Sequence, residues 1–204
     1  MSFLPARSIT DPGWLRSRIG LAARRYGCAP VEVLGTIWWY SASSVLVAPA
    51  LHALAGTGPA ADPALDAITL EETADGRLLD SRSSGQLDGG LPEVGSAMGE
   101  ALDAAITAVT AVTGAHSPAL WAIATDSIAN RLVWNGAPDL AAPLVAAIGR
   151  RMPAPRYLTF GAHLVVRRAS CCLIYQVGQP KCVSCPRQLP ADRDRRIRTA
   201  LTAS

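Results

Sequence analysis

The sequence predicts an α+β fold: a mainly helical body with a small antiparallel β component, followed by a cysteine-bearing C-terminal segment. Three observations predict it. Long stretches place apolar residues at helical spacing between recognisable start and stop signals. Two short strand-like runs meet at Asp75-Gly76, a hairpin signal. After residue 156 the text changes from apolar helices to a strand pattern and a cluster of cysteines. At 204 residues, half of them apolar, the chain is long enough to bury a core without a metal or a disulfide framework. The division is therefore a body over 1–156 and a C-terminal segment over 157–204 that packs on it as one structural unit.

Asp11-Pro12 opens the first helix, an N-cap acceptor followed by proline at the first helical position. Trp14, Leu15, Ile19, Ala22, Ala23 and Tyr26 then recur at helical spacing, which carries the helix to about residue 26. From Val33 to Ala61 there is no Asp, Glu, Lys or Arg, a length that raises the question of a membrane span. Ser41, Ser43, Ser44 and His52 interrupt the run, Pro49 breaks its helix, and no basic residues flank it, so a buried core helix is expected. Residues 56–63 form a loop. AITLEET and RLLDSRS are strands of a hairpin. A Gly-rich connection leads to a helix over about 93–113 with Met98, Leu102, Ile106 and Val109 on one side. Ser117-Pro118 opens another helix that stops near Asn135-Gly136, and a shorter one follows over about 139–149. Residues 157–168 are strand-like with a glycine in the middle, and 190–202 is a final short helix.

Four of the five cysteines fall between positions 171 and 185, and Cys28 stands alone. Residues 1–149 hold 8 basic and 14 acidic side chains, whereas 150–204 hold 11 basic and 2 acidic. The cysteines thus lie in a strongly basic, arginine-rich tail. Such a patch binds nucleic acid, an anionic ligand or an acidic partner, or is a solvated helix face carrying Arg193, Arg195, Arg196 and Arg198. The cysteine segment reads Cys171-Cys172, nine intervening residues, then Cys182-x-x-Cys185. The Cys-x-x-Cys half brings two thiolates to one side of a turn and suits zinc, iron-sulfur or a dithiol pair. Adjacent cysteines on an extended strand would point to opposite faces and chelate a single ion poorly, which favours a di-iron cluster over zinc. A structural zinc site and a thiol-disulfide site remain the alternatives. Lys181, Arg167, Arg168 and Arg187 are the cations placed to stabilise a reduced cluster.

The stretch RRASCCLIYQVGQPKCVSCP resembles the C-terminal segment of the FhuF-type ferric siderophore reductases. The tandem cysteines follow a basic strand, an aromatic and a Gly/Pro turn come next, and a Cys-x-x-Cys closes the motif. The family usually has ten residues between the two cysteine pairs, one more than here. The resemblance implies a 2Fe-2S cluster held by Cys171, Cys172, Cys182 and Cys185. It also implies a cytoplasmic protein that passes single electrons to a ferric siderophore, supplied by a ferredoxin or a flavin/NAD(P)H-dependent reductase. GTIWWYSASSVLVAPALHAL and ALWAIATDSIANRL are similar in style to the family's helical body, which holds the substrate side. A substrate or partner contact is expected at Arg167, Arg168 and Arg187.

Reduction of ferric iron needs no general base or nucleophile, and the chain has no Gly-x-Gly-x-x-Gly, Walker loop or Gly-x-Ser-x-Gly. His52, His116 and His163 are scattered, and only His163 is near enough in sequence to support the cluster. Trp38, Trp39, Trp121 and Trp134 are expected in the core rather than on a ligand platform. No secretory signal pattern opens the sequence, and clustered cysteines fit a reducing compartment. Neither nucleic acid nor a stable membrane span is expected as a partner. The rivals are an iron-sulfur sensor or nucleic-acid binder and a structural zinc protein.

Overall fold

The computed structural model describes residues 1–27 and 29–202. Cys28 lies outside the described residues. Helix α1, Pro12–Tyr26, starts as the sequence requires: the Asp11 carboxylate accepts the Trp14 N–H at 2.6 Å, and Gly27 at φ 81° ends the helix. The long uncharged run forms two helices, α2 (Val31–Leu46) and α3 (Ala48–Ala55), which break at Val47 where Pro49 enters the first turn of α3. By length and composition Val31–Ala55 could cross a membrane, but 67% of its most apolar window is buried inside the protein. The helix expected in the core is there, bent by its proline.

The hairpin consists of β3 (Ile68–Glu72) and β4 (Leu78–Ser83), paired antiparallel from Ile68 opposite Ser83. A short N-terminal strand, β1 (Ser2–Pro5), completes a three-stranded sheet of order β1-β3-β4. Sequence reading gave no sign of β1, since four residues ending in proline carry no period. Two further dipeptides, β2 (Ala60–Ala61) and β5 (Gln86–Leu87), pair within the stretches read as connections. Ile68, Leu70 and Leu78 turn inward, and the Ser81 hydroxyl donates to the Val45 carbonyl of α2 at 2.5 Å. The sheet is thereby fastened to the central helix.

Helices α4 (Gly90–Thr113) and α5 (Ser117–Trp134) match the expected pair, with α4 starting three residues early. A 3-10 turn, Pro138–Leu140, precedes α6 (Ala141–Ile148). Gly161, at φ 60°, turns the strand-like run into a hairpin of β6 (Tyr157–Phe160) and β7 (His163–Val166). Helix α7, Pro190–Thr202, closes the described chain.

Helix α2 lies at the centre, against α1, α4 and α5. Trp39 is fully buried and its indole N–H donates to the Leu120 carbonyl at 2.9 Å. One turn on, the hydroxyls of Ser43 and Ser127 pair at 2.8 Å between α2 and α5. These two contacts fix the rotation of α5 about its axis, and with it the direction in which its one buried carboxylate points. Close approach between helices uses glycine: a Cβ at Gly35 would lie 2.4 Å from Thr113 Oγ1, and one at Gly95 would lie 2.4 Å from Ala147 Cβ.

Gly95→Ala should destabilise the fold by ~1–3 kcal/mol, because the α4 and α6 backbones must part. Gly20→Ala, on an exposed face of α1 with no atom within 4 Å, should stabilise it by ~0.5–1 kcal/mol. Urea denaturation of the two variants against the parent checks both signs.

Candidate metal centre

Helix α5 is apolar on nearly every side, and its middle carries a single charged residue, Asp126, which is 2% exposed. A carboxylate in that position must be met by donors. The C-terminal segment supplies them. The backbone N–H of Ala169 donates to Asp126 Oδ1 at 2.9 Å and Oδ2 at 3.2 Å, and that of Ser170 to Oδ2 at 3.3 Å. Arg168 Nε stands 3.6 Å from Oδ2, with the two side chains 1% and 3% exposed. Burial pushes the Asp126 carboxyl up to about 6, against the pull of the Ala169 N–H, the Arg168 charge and the Ser170 N–H. Sequence reading passed over Asp126. The signal was one acid in the middle of an otherwise uncharged buried helix face.

Held in this way, the chain leaves β7 and enters the cysteine turn at once. Cys171, Cys172 and Cys185 are buried and Cys182 is half-buried; all four are free thiols. Contacts run from Cys185 to Cys171 at 3.7 Å, from Cys171 to Cys172, and from Cys172 to Cys182. The tandem pair is not on a strand, so the expectation that its side chains point to opposite faces is corrected. Leu173, at φ 63°, is the one non-glycine residue with positive φ among the described residues. Its N–H donates to Cys171 Sγ at 3.4 Å, and its left-handed turn leads the chain after the tandem pair into the 3-10 turn Ile174–Val177. A left-handed leucine costs about 1–2 kcal/mol, and it occurs beside the thiols.

The loop of Cys182 and Cys185 is braced from outside. Cys185 N–H donates to the Cys182 carbonyl at 3.1 Å. Gln188 Nε2 donates to the carbonyls of Cys182 and Val183 at 2.9 and 3.1 Å. From α7, Arg196 donates to Gln188 Oε1 at 2.7 Å and to the Lys181 carbonyl at 2.9 Å. Arg198 stacks on Phe160 with Cζ 5.0 Å from the ring centre, and Arg193 and Arg195 pair with Asp194 and Asp192. Arg196 thus holds the cysteine loop and Arg198 the β6–β7 hairpin, while Arg195 stays exposed.

Arg168 is central to the electrostatics. Its Nη1 lies 3.1 Å from Cys182 Sγ and 3.9 Å from Cys172 Sγ, and its Cζ lies 4.5 Å from the Tyr40 ring centre. Thiol hydrogen bonds from Cys171 and Cys182, the Ile174 N–H and the Arg168 charge pull the pKa of Cys172 down against burial. The two thiol donors are pushed up correspondingly, foremost by those same hydrogen bonds and then by burial. The expected outward role of Arg168 is therefore corrected, since the residue is 6% exposed and faces the sulfurs. Arg167 and Arg187 are exposed. His163 is exposed at the tip of the β6–β7 hairpin. Arg187 lines a cleft of about 300 Å³ with Glu32, Thr36, His116, Ser170 and Cys171.

The donor set suits a thiolate-bound metal centre. Thiolates bonded to one tetrahedral metal at about 2.3 Å stand about 3.8 Å apart, which the Cys171–Cys185 separation of 3.7 Å meets. Among the described residues, however, no group of three or more His, Cys, Asp or Glu side chains is arranged to hold a metal ion. Arg168 Nη2 is buried without a hydrogen-bond partner, a donor that inorganic sulfide can accept from. Fold and site together define an α+β protein with a C-terminal four-thiol pocket of iron-sulfur type. Residues 168–187 match the model of the FhuF 2Fe-2S C-terminal domain. The segment is thus one that carries a 2Fe-2S cluster, and Cys171, Cys172, Cys182 and Cys185 are the residues that would hold it. No curated protein and no solved structure matches the chain.

Protein purified without oxygen should be brown and contain about two iron atoms per chain. Serine at any one of positions 171, 172, 182 or 185 should strip or destabilise the centre, whereas Cys28→Ser should leave iron and sulfide content unchanged. Iron and acid-labile sulfide assays decide the assignment. Zinc in a colourless parent protein would refute it.

Proposed function

We propose that this chain is a cytoplasmic, FhuF-like ferric siderophore reductase that passes single electrons to a chelated Fe(III). The observation that carries the reading is four free thiols in one run of contacts, two of them beside a buried arginine, within the stretch that the FhuF 2Fe-2S model matches. When bound, a 2Fe-2S cluster supplies a one-electron carrier. The protein's own work is to hold four thiolates, to keep water from three of them and to leave the fourth accessible.

The chemistry asks for little more. Siderophores hold Fe(III) through hard oxygen donors, and one added electron gives Fe(II), which those donors hold less tightly, so reduction is also release. The cleft beside Cys171 is where a ferric chelate would approach, with Arg187 among its lining to attract an anionic chelate such as a catecholate. Half-buried Cys182, flanked by exposed Lys181 and Val183, is the edge at which an acidic ferredoxin or a flavin/NAD(P)H-dependent reductase would deliver the electron.

The test is anaerobic. Protein reduced with dithionite and freed of excess should be reoxidised by at least one of a ferric hydroxamate, a ferric catecholate and a ferric carboxylate. A ferrous-specific chelator should trap about one Fe(II) per electron stored. If none of the three reoxidises the reduced protein, the reductase reading fails.

A further inference from the structure

The geometry points to Arg168 as the residue that sets the reduction potential of the centre, with Asp126 acting on it in the opposite sense. The inference rests on a cluster at the four thiols and not on the identity of the electron acceptor. Adding one electron to a thiolate-held centre makes it one unit more negative, with no bond formed or broken and no proton required. A fixed cation beside the sulfurs therefore favours the reduced form, and it does so more strongly the less water surrounds it.

Four basic side chains lie near the cysteines in sequence, and the fold separates them. Arg167 and Arg187 are exposed. Lys181 is exposed, its Nζ donating to the Arg187 carbonyl at 3.1 Å and lying 5.7 Å from the Tyr175 ring centre. Water and salt screen all three. Only the Arg168 side chain is withdrawn from solvent, at 1% exposure, with Nη1 3.1 Å from Cys182 Sγ and 3.9 Å from Cys172 Sγ. Its Nη2 has no hydrogen-bond partner, so the guanidinium keeps one donor beyond the Nε that faces Asp126. A buried guanidinium is costly unless negative groups surround it. Here those groups are the thiolates on one side and Asp126 on the other, with the Tyr40 face below.

Asp126 gives the inference its sign test. The carboxylate partly offsets the Arg168 charge, so removing each charge moves the potential in opposite directions, whereas loosening of the segment would move both alike and lose iron. Variants are purified without oxygen, assayed for iron and sulfide, and titrated with dithionite while the visible absorption is followed. Arg168→Gln lowers the midpoint by at least 59 mV, a tenfold drop in the one-electron equilibrium constant. Arg168→Lys, which keeps the charge, lowers it less than the glutamine variant. Asp126→Asn, which keeps the shape and one acceptor for the Ala169 N–H, raises it.

A loaded Arg168→Gln protein with an unmoved midpoint overturns the proposal. Where that variant does not assemble a centre, Asp126→Asn decides, and a downward or absent shift overturns it. A parent protein that binds no cluster refutes the assignment of the thiols, an outcome distinct from either of these.

Discussion

The structure depends on a single buried carboxylate. Asp126 sits in the middle of a helix that offers it nothing to bond to, and burying an ionisable group unpaired would cost several kcal/mol. The chain answers with two backbone N–H groups and a guanidinium from the segment that follows the β6–β7 hairpin. One interaction thus docks the cysteine segment on the body, fixes the point at which the tandem thiols begin, and brings a cation to the sulfurs. The Trp39 and Ser43 contacts that orient α5 are upstream of all this, so core packing and the metal pocket share one set of constraints.

The arrangement also explains why a basic tail need not be a nucleic-acid surface. Lys and Arg that bind phosphate must be free to reach it. In this tail Arg168 faces the sulfurs, Arg196 braces the Cys182 loop, Arg198 covers Phe160, and Arg193 and Arg195 have acidic neighbours. A net positive count along the sequence therefore overstates the charge offered to a partner.

Much of the fold could be read from the sequence because its signals are local. Asp11-Pro12, Asp75-Gly76, Ser117-Pro118 and the break at Pro49 each act within one turn of chain, and helix limits followed from them. What escaped is non-local. Strand β1 exists because β3 has a free edge, which four residues ending in Pro5 do not advertise. Among the site residues, the cysteine cluster stood out by spacing alone. The inward turn of Arg168 did not, since only its distance from Asp126, 42 positions earlier in the chain, distinguishes it from Arg167. The premise about the tandem pair failed for a related reason. The strand β7 ends at Val166, before the pair is reached, so a strand period does not extend to Cys171 and Cys172.

That residue, Leu173, places an unusual demand on its position. Its contribution to the pocket comes through the main-chain amide that reaches Cys171 and through the sign of one torsion angle. The isobutyl group is incidental to that task. Glycine would meet the demand with less strain, asparagine would meet it at modest cost, a β-branched residue would resist it, and proline would defeat it, lacking both the hydrogen to give and the rotation to give it from.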